Sequence, residues 1–222
     1  MLSVTPADVE AFAPSDPGYP DYVRAFTTIL AMRDLPSRGG FDITETIGLT
    51  RWEKAEKQVE PNRFRRFRTF INVVGLALCV DGNVIDDVLP ANYTVIRLIE
   101  DAFELADAEL LRLLPLAFEE FHAALVARDW EESPFVLLGL LLVKAKLGAN
   151  EQELSLLADQ IIEEERTHAG RASGDFLLGC TFFNQLHRTW KKFVAKFVPA
   201  STPSLALLRD AIISQPDRPG RR

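Results

Sequence analysis

The chain has two cysteines and three histidines in 222 residues. Cys79 and Cys180 each lie inside an apolar stretch, which predicts buried free thiols of a reducing compartment and excludes a disulfide scaffold. So few cysteines and histidines, so scattered, give no zinc-binding spacing. Long apolar runs are missing as well. The longest uncharged ones, residues 70–80 and 135–143, fall short of the roughly 20 residues that cross a bilayer. The first twenty residues carry neither a basic start nor an extended apolar core, so no secretory signal peptide is expected. Period-two alternation of apolar and polar residues is almost absent, which argues against β-structure. Positive charge is also short. The formal net charge of -7 argues against a general nucleic-acid binder, since phosphate contacts need clustered lysine and arginine. The chain reads as a cytoplasmic protein with no membrane or nucleic-acid partner and no cofactor.

What is present is helical periodicity. The sequence predicts an all-α protein of about eight helices. Residues 1–20 form an N-terminal arm, residues 21–215 a single domain, and residues 216–222 a tail. Four prolines mark the arm. Helices are predicted over 21–34 and 44–57. The central helix spans 61–81 and is the most buried, opening on Pro61, where a missing N–H costs nothing. Phe64, Phe67, Ile71, Val74 and Leu78 share a face of it, and beyond Phe70 it is apolar nearly all round.

A helix restarts at Pro90, with Ile96, Ile99, Phe103 and Ala106 inward and Glu100, Asp101 and Glu104 outward. The next, 108–129, carries Pro115, which should break or kink it. An apolar helix opened by Glu131-Glu132-Ser133-Pro134 then runs to about Leu147 and is capped by Gly148. An amphipathic helix over 151–168 turns Leu154, Leu157, Ile161 and Ile162 inward. A small-residue loop over 169–174, a long helix over 175–197 and a short one over 204–215 complete the chain. Helices of similar length from Pro90 onward suggest a helical-hairpin array, without a strict repeat.

Charge is unevenly placed. Residues 1–80 are neutral overall, residues 81–165 carry a net -14 and residues 166–222 a net +7. The acidic middle either pairs with cations inside the fold or faces a basic partner. The four arginines at 63, 65, 66 and 68, interleaved with phenylalanines, admit three readings. They are structural, with Arg65, Arg66 and Arg68 pairing with carboxylates of residues 81–165. Or they form a surface for a partner's carboxylates. Or they contact nucleic acid with the phenylalanines stacking on bases, which the core spacing of those rings and the sign of the net charge disfavour.

Chemistry-bearing patterns are sparse. Glu119-x-x-His122 and Glu165-x-x-His168 have the i, i+3 spacing of ferritin-like di-metal bundles, but the apolar helix between them has no acid to complete that pattern. Ser173 lacks the Gly-x-Ser-x-Gly elbow. Cys180 and His187 share a helix face, yet the apolar neighbours of Cys180 suit a buried thiol. The acids 163–165 suit a solvated face. No catalytic residue and no metal ligand emerges, so no enzyme is expected.

The Arg-x-Arg segments at 63–65 and 66–68 run into a buried apolar helix. Leu89-Pro90-Ala91-Asn92-Tyr93 then opens an acidic amphipathic helix. This arrangement resembles the all-α immunity proteins of bacterial polymorphic toxin systems, over less than half of the chain. The resemblance implies a protein that binds and neutralises a cognate toxin without catalysis of its own. Its contact surface would be the acidic residues Glu100, Asp101, Glu104, Glu109, Glu131 and Glu132, facing a toxin or another protein with a basic surface. A helical scaffold or regulatory adaptor is the alternative, and a ferritin-like metal enzyme a second one.

Overall fold

A computed structural model of the chain describes residues 65–66, 69–70, 72–74, 76, 91–127, 133–172 and 188–214, with the side chains of 91–94, 168–172 and 188 excepted. The N-terminal arm, the helices expected over 21–34 and 44–57, most of that over 175–197 and the tail lie outside the described residues. So do Arg63, Arg68, Cys79, Glu131, Glu132, Ser173, Cys180 and His187.

Among the described residues the fold is all-α, with no strand. After helical residues in 65–76 come α1 (Ala91–Leu105), α2 (Ala108–Ala127), α3 (Ser133–Lys146), α4 (Glu151–Ala172), α5 (Arg188–Phe197) and α6 (Pro203–Ile213). The chain divides into two units, Met1–Val88 with Glu100–Ala124, and Leu89–Ile99 with Leu125–Arg222.

In the first unit the helical residues of 65–76 bury Phe70, Val73, Val74 and Leu76. Thr69, also buried, returns its hydroxyl to the Arg65 carbonyl at 2.8 Å. The end of α1 departs from the expected inner face. Ala106 is exposed and leaves the helix at φ 50°, a left-handed conformation that opens the next helix immediately. Phe103 is only half-buried.

α2 runs unbroken through Pro115, so of the expected break or kink no break occurs. Proline in a helix interior costs about 3 kcal/mol. Leu110, Leu113 and Leu114 before it and Ala117, Phe118 and Phe121 after it are all buried. Each large apolar side chain gains about 1.5–3 kcal/mol on burial, so the continuous helix wins.

The second unit contains two helical hairpins. In the first, Lys144 binds Glu153 at 2.9 Å beside the connection, and the buried Ser133 donates to Glu164 at 2.8 Å at the far end. That pairing makes α3 and α4 antiparallel. α5 and α6 form the second hairpin, with α3 against α5 and α4 against α6. α3 is buried over every residue from Ser133 to Val143, so it has no polar stripe. Leu154, Ala158, Ile161 and Ile162 of α4, Trp190 and Val194 of α5, and Leu205, Leu208 and Ile212 of α6 complete this core.

α3 ends in a Schellman motif. Gly148 has φ 82°, its N–H reaches the Ala145 carbonyl at 3.2 Å, and the Ala149 N–H reaches that of Lys144 at 3.0 Å. Asn150 caps α4, its side chain accepting from the Glu153 N–H at 2.9 Å. Gly148→Ala meets no atom within 4 Å, so its cost is purely conformational. About 1–2 kcal/mol lost in urea denaturation is expected, and an unchanged midpoint would refute the left-handed cap.

α4 continues to Ala172, where a loop over 169–174 was expected. One internal glycine, Gly170, costs about 1 kcal/mol relative to alanine, and alanines on either side favour the helix.

Candidate functional site

The charged centre of the first unit starts from two neighbouring arginines. Consecutive helical residues point about 100° apart, so Arg65 and Arg66 reach different acids. Arg65 donates to Asp101 Oδ1 from Nε at 2.7 Å and from Nη2 at 2.5 Å. Its Nη1 meets Glu104 Oε2 at 2.5 Å. Asp101 and Glu104 are three residues apart on α1 and share a face, so one guanidinium spans both. Arg66 donates through Nε to Asp107 Oδ2.

Asp107 has a second role that the sequence reading missed. Its Oδ1 accepts from the N–H groups of Glu109 at 3.0 Å and Leu110 at 3.1 Å. Its own carbonyl accepts from Leu111. It is the N-cap of α2. One carboxylate thus satisfies two helix N–H groups through one oxygen and an arginine through the other. The available signal was an aspartate directly before Ala-Glu-Leu-Leu.

The electrostatics follow. Partial burial would raise the Asp107 pKa, but the Arg66 hydrogen bond, the backbone N–H groups and the Arg66 charge together hold it below its ordinary value. Burial works against the Arg65 charge too, and the hydrogen bonds and charges of Asp101 and Glu104 outweigh it, so its pKa is raised.

The acids assigned to a partner surface separate into groups. Asp101 is mostly covered, with its side chain 19% exposed, and is held by Arg65. Glu104 is held by the same arginine but stays 64% exposed. Glu109 is 58% exposed, with Arg112 at 3.4 Å one turn away. Glu100 is half-exposed. Asp101 is therefore better placed to orient Arg65 than to meet a partner.

The two Glu-x-x-His pairs differ in setting. Glu119 is exposed and His122 half-buried on α2, whereas Glu165 is buried on α4. They fall in separate units. Among the described residues no three histidines, cysteines or acids gather as a metal-binding group. No helix among them is long and apolar enough to cross a membrane.

The outward side of α4 was read from sequence only as a solvated acidic face. It also presents Leu156, 63% exposed. Leu154 and Ile161 occupy the inward stripe, so Leu156 is the apolar residue out of phase with it, and that mismatch was the signal. No protein-family model, no curated protein and no solved structure matches the chain.

Proposed function

We propose that the chain is a cytoplasmic, non-catalytic binding protein, an immunity protein that occludes a cognate toxin through a basic surface on that toxin. The observation that carries this reading is Glu104, a carboxylate 64% exposed yet fixed from beneath by Arg65. A charge already held in place loses less side-chain entropy when a partner arrives. Glu109 adds a second outward carboxylate in the same unit. Charges at such positions govern encounter rate and register more than buried area does.

The test is co-expression with the product of the adjacent gene, pull-down, and stopped-flow association at increasing salt. A complex is expected, with association slowing as salt rises. The double change Glu104→Lys and Glu109→Lys should slow association at low salt by about tenfold or more. Absence of a complex, or an association rate indifferent to salt and to both substitutions, would contradict the reading.

The antiparallel pairing of α3 with α4 and the contact of α5 with α6 favour a second reading, a helical scaffold. A scaffold would bind an extended peptide of its partner as tightly as the folded partner, whereas a toxin-blocking protein requires the folded one.

A further inference from the structure

We propose that the outer face of α4 and α6 docks a basic amphipathic segment of a partner protein, one that sets lysine or arginine around apolar side chains. The proposal rests on the protein-binding reading above and adds a surface within the second unit.

Two hydrogen bonds fix the seam between the helices. Ser155 and Thr202 hydroxyls meet at 3.1 Å, and Ser204 donates to Asp159. Leu156 lies next to Ser155 in sequence and about 60° around the helix from Asp159. Leu207 stands one turn after Ser204 on α6. The two leucines thus lie on the two helices that the seam joins, 63% and 36% exposed. Single exposed leucines are ordinary on protein surfaces. These two lie on packed neighbouring helices, each within a stripe of uniform character. The stripe of α4 is Gln152, Leu156, Asp159, Gln160 and Glu163, and that of α6 is Pro203, Leu207, Asp210 and Ser214. All nine are exposed, and none is a lysine or arginine. Among the described side chains the one cation on the same row of α4 is Arg166, one turn beyond. It meets Glu163 at 3.7 Å and leaves Asp159 and Asp210 as the carboxylates without an arginine of that row.

That composition selects the partner. An apolar pair among acids repels an acidic peptide and leaves a purely polar one without a place for its buried contacts. It accepts an apolar anchor bracketed by cations, with carboxylates supplying register. The helix-on-helix arrangement suits a segment laid along the seam, with anchors at i, i+3 and i+4 spacing. A second copy of the chain is disfavoured, because this acidic face would meet itself at a two-fold interface.

The probe is a synthetic amphipathic helix of leucine and lysine, titrated into the isotope-labelled full chain and followed by backbone amide shifts. A leucine–glutamate peptide of the same pattern is the control. Saturable shifts are expected within residues 152–163 and 203–214 for the lysine peptide alone, with affinity falling as salt rises. The double variant Leu156→Ser and Leu207→Ser keeps the charge and should weaken binding by about tenfold or more. Its unperturbed amide spectrum away from those stripes reports an intact fold.

Shifts centred elsewhere, equal binding of the two peptides, or unaltered affinity of the serine variant would overturn the proposal. So would dilution-dependent shifts of the free chain at this face, which would assign it to self-association. A chain that binds the lysine peptide here yet ignores the adjacent gene's product would sink the immunity reading and leave this surface standing. A chain that binds that product but not the peptide at this face would do the reverse.

Discussion

Leu141→Ala should cost about 2.7–5 kcal/mol, while Leu156→Ala on the neighbouring helix should change stability by no more than about 0.5 kcal/mol. Both are leucines in helices of the same hairpin. Leu141 is 0% exposed and Leu156 63%. The first substitution removes transfer free energy and leaves a cavity, because α3 is enclosed on all sides from Ser133 to Val143 and has no solvent edge toward which its neighbours can relax. The second removes atoms that water already reaches. Against a total stability of about 5–15 kcal/mol, the core change takes a large fraction. Urea denaturation of the full chain measures both, through the shift in midpoint at constant slope. Comparable losses for the two variants would refute the enclosure of α3.

Asp107→Ala is expected to lose about 2 kcal/mol, combining an N-cap of about 0.5–2 kcal/mol with the pairing to Arg66, for which about 0.2–1 kcal/mol is typical of part-exposed pairs. Asp107→Asn separates these contributions, since asparagine caps as well as aspartate but carries no charge. It should lose about 1 kcal/mol or less. The pH dependence has a defined sign. The folded pKa of Asp107 is depressed, so its contribution is fully present above the unfolded value of about 3.9. It disappears as pH falls through the lower folded value. Lowering the pH through that range should therefore destabilise the native chain more steeply than Asp107→Asn. Parallel profiles for the two proteins would show that Arg66 and the α2 N–H groups do not hold this carboxylate.

The features legible in the sequence were those set by local pattern. The run Ser-Pro-Phe-Val-Leu-Leu closed by Gly148 defines α3 and its cap, because an all-apolar helix and a left-handed glycine need no tertiary information. Burial of Val74 was legible for the same reason. The continuity of α2 past Pro115 and of α4 past Gly170 was not. In both, a local helix penalty is set against the propensity and packing of what lies beyond, and the burial beyond Pro115 exists only in the fold.

Charge accounting called for cations to meet the acids of residues 81–165, but it could not choose among nineteen carboxylates. Asp101 and Glu104 are chosen by the face of α1 that they share toward Arg65, and Asp107 by where α1 ends. Ala106 at φ 50° places Asp107 at the head of α2, within reach of Arg66. Alanine carries no sequence signal for a left-handed residue, so that turn was read as helix. Leu156 was missed because the apolar periodicity of α4 was already satisfied without it.

The most direct test of the central claim, binding to a basic protein through outward carboxylates, is growth protection. Cells expressing the adjacent gene's product should survive when the intact chain is co-expressed and lose protection when Glu104 and Glu109 are both changed to lysine. The folded state of that variant is checked by its urea midpoint. Survival unaffected by the charge reversal, or no protection by the intact chain, would contradict the account.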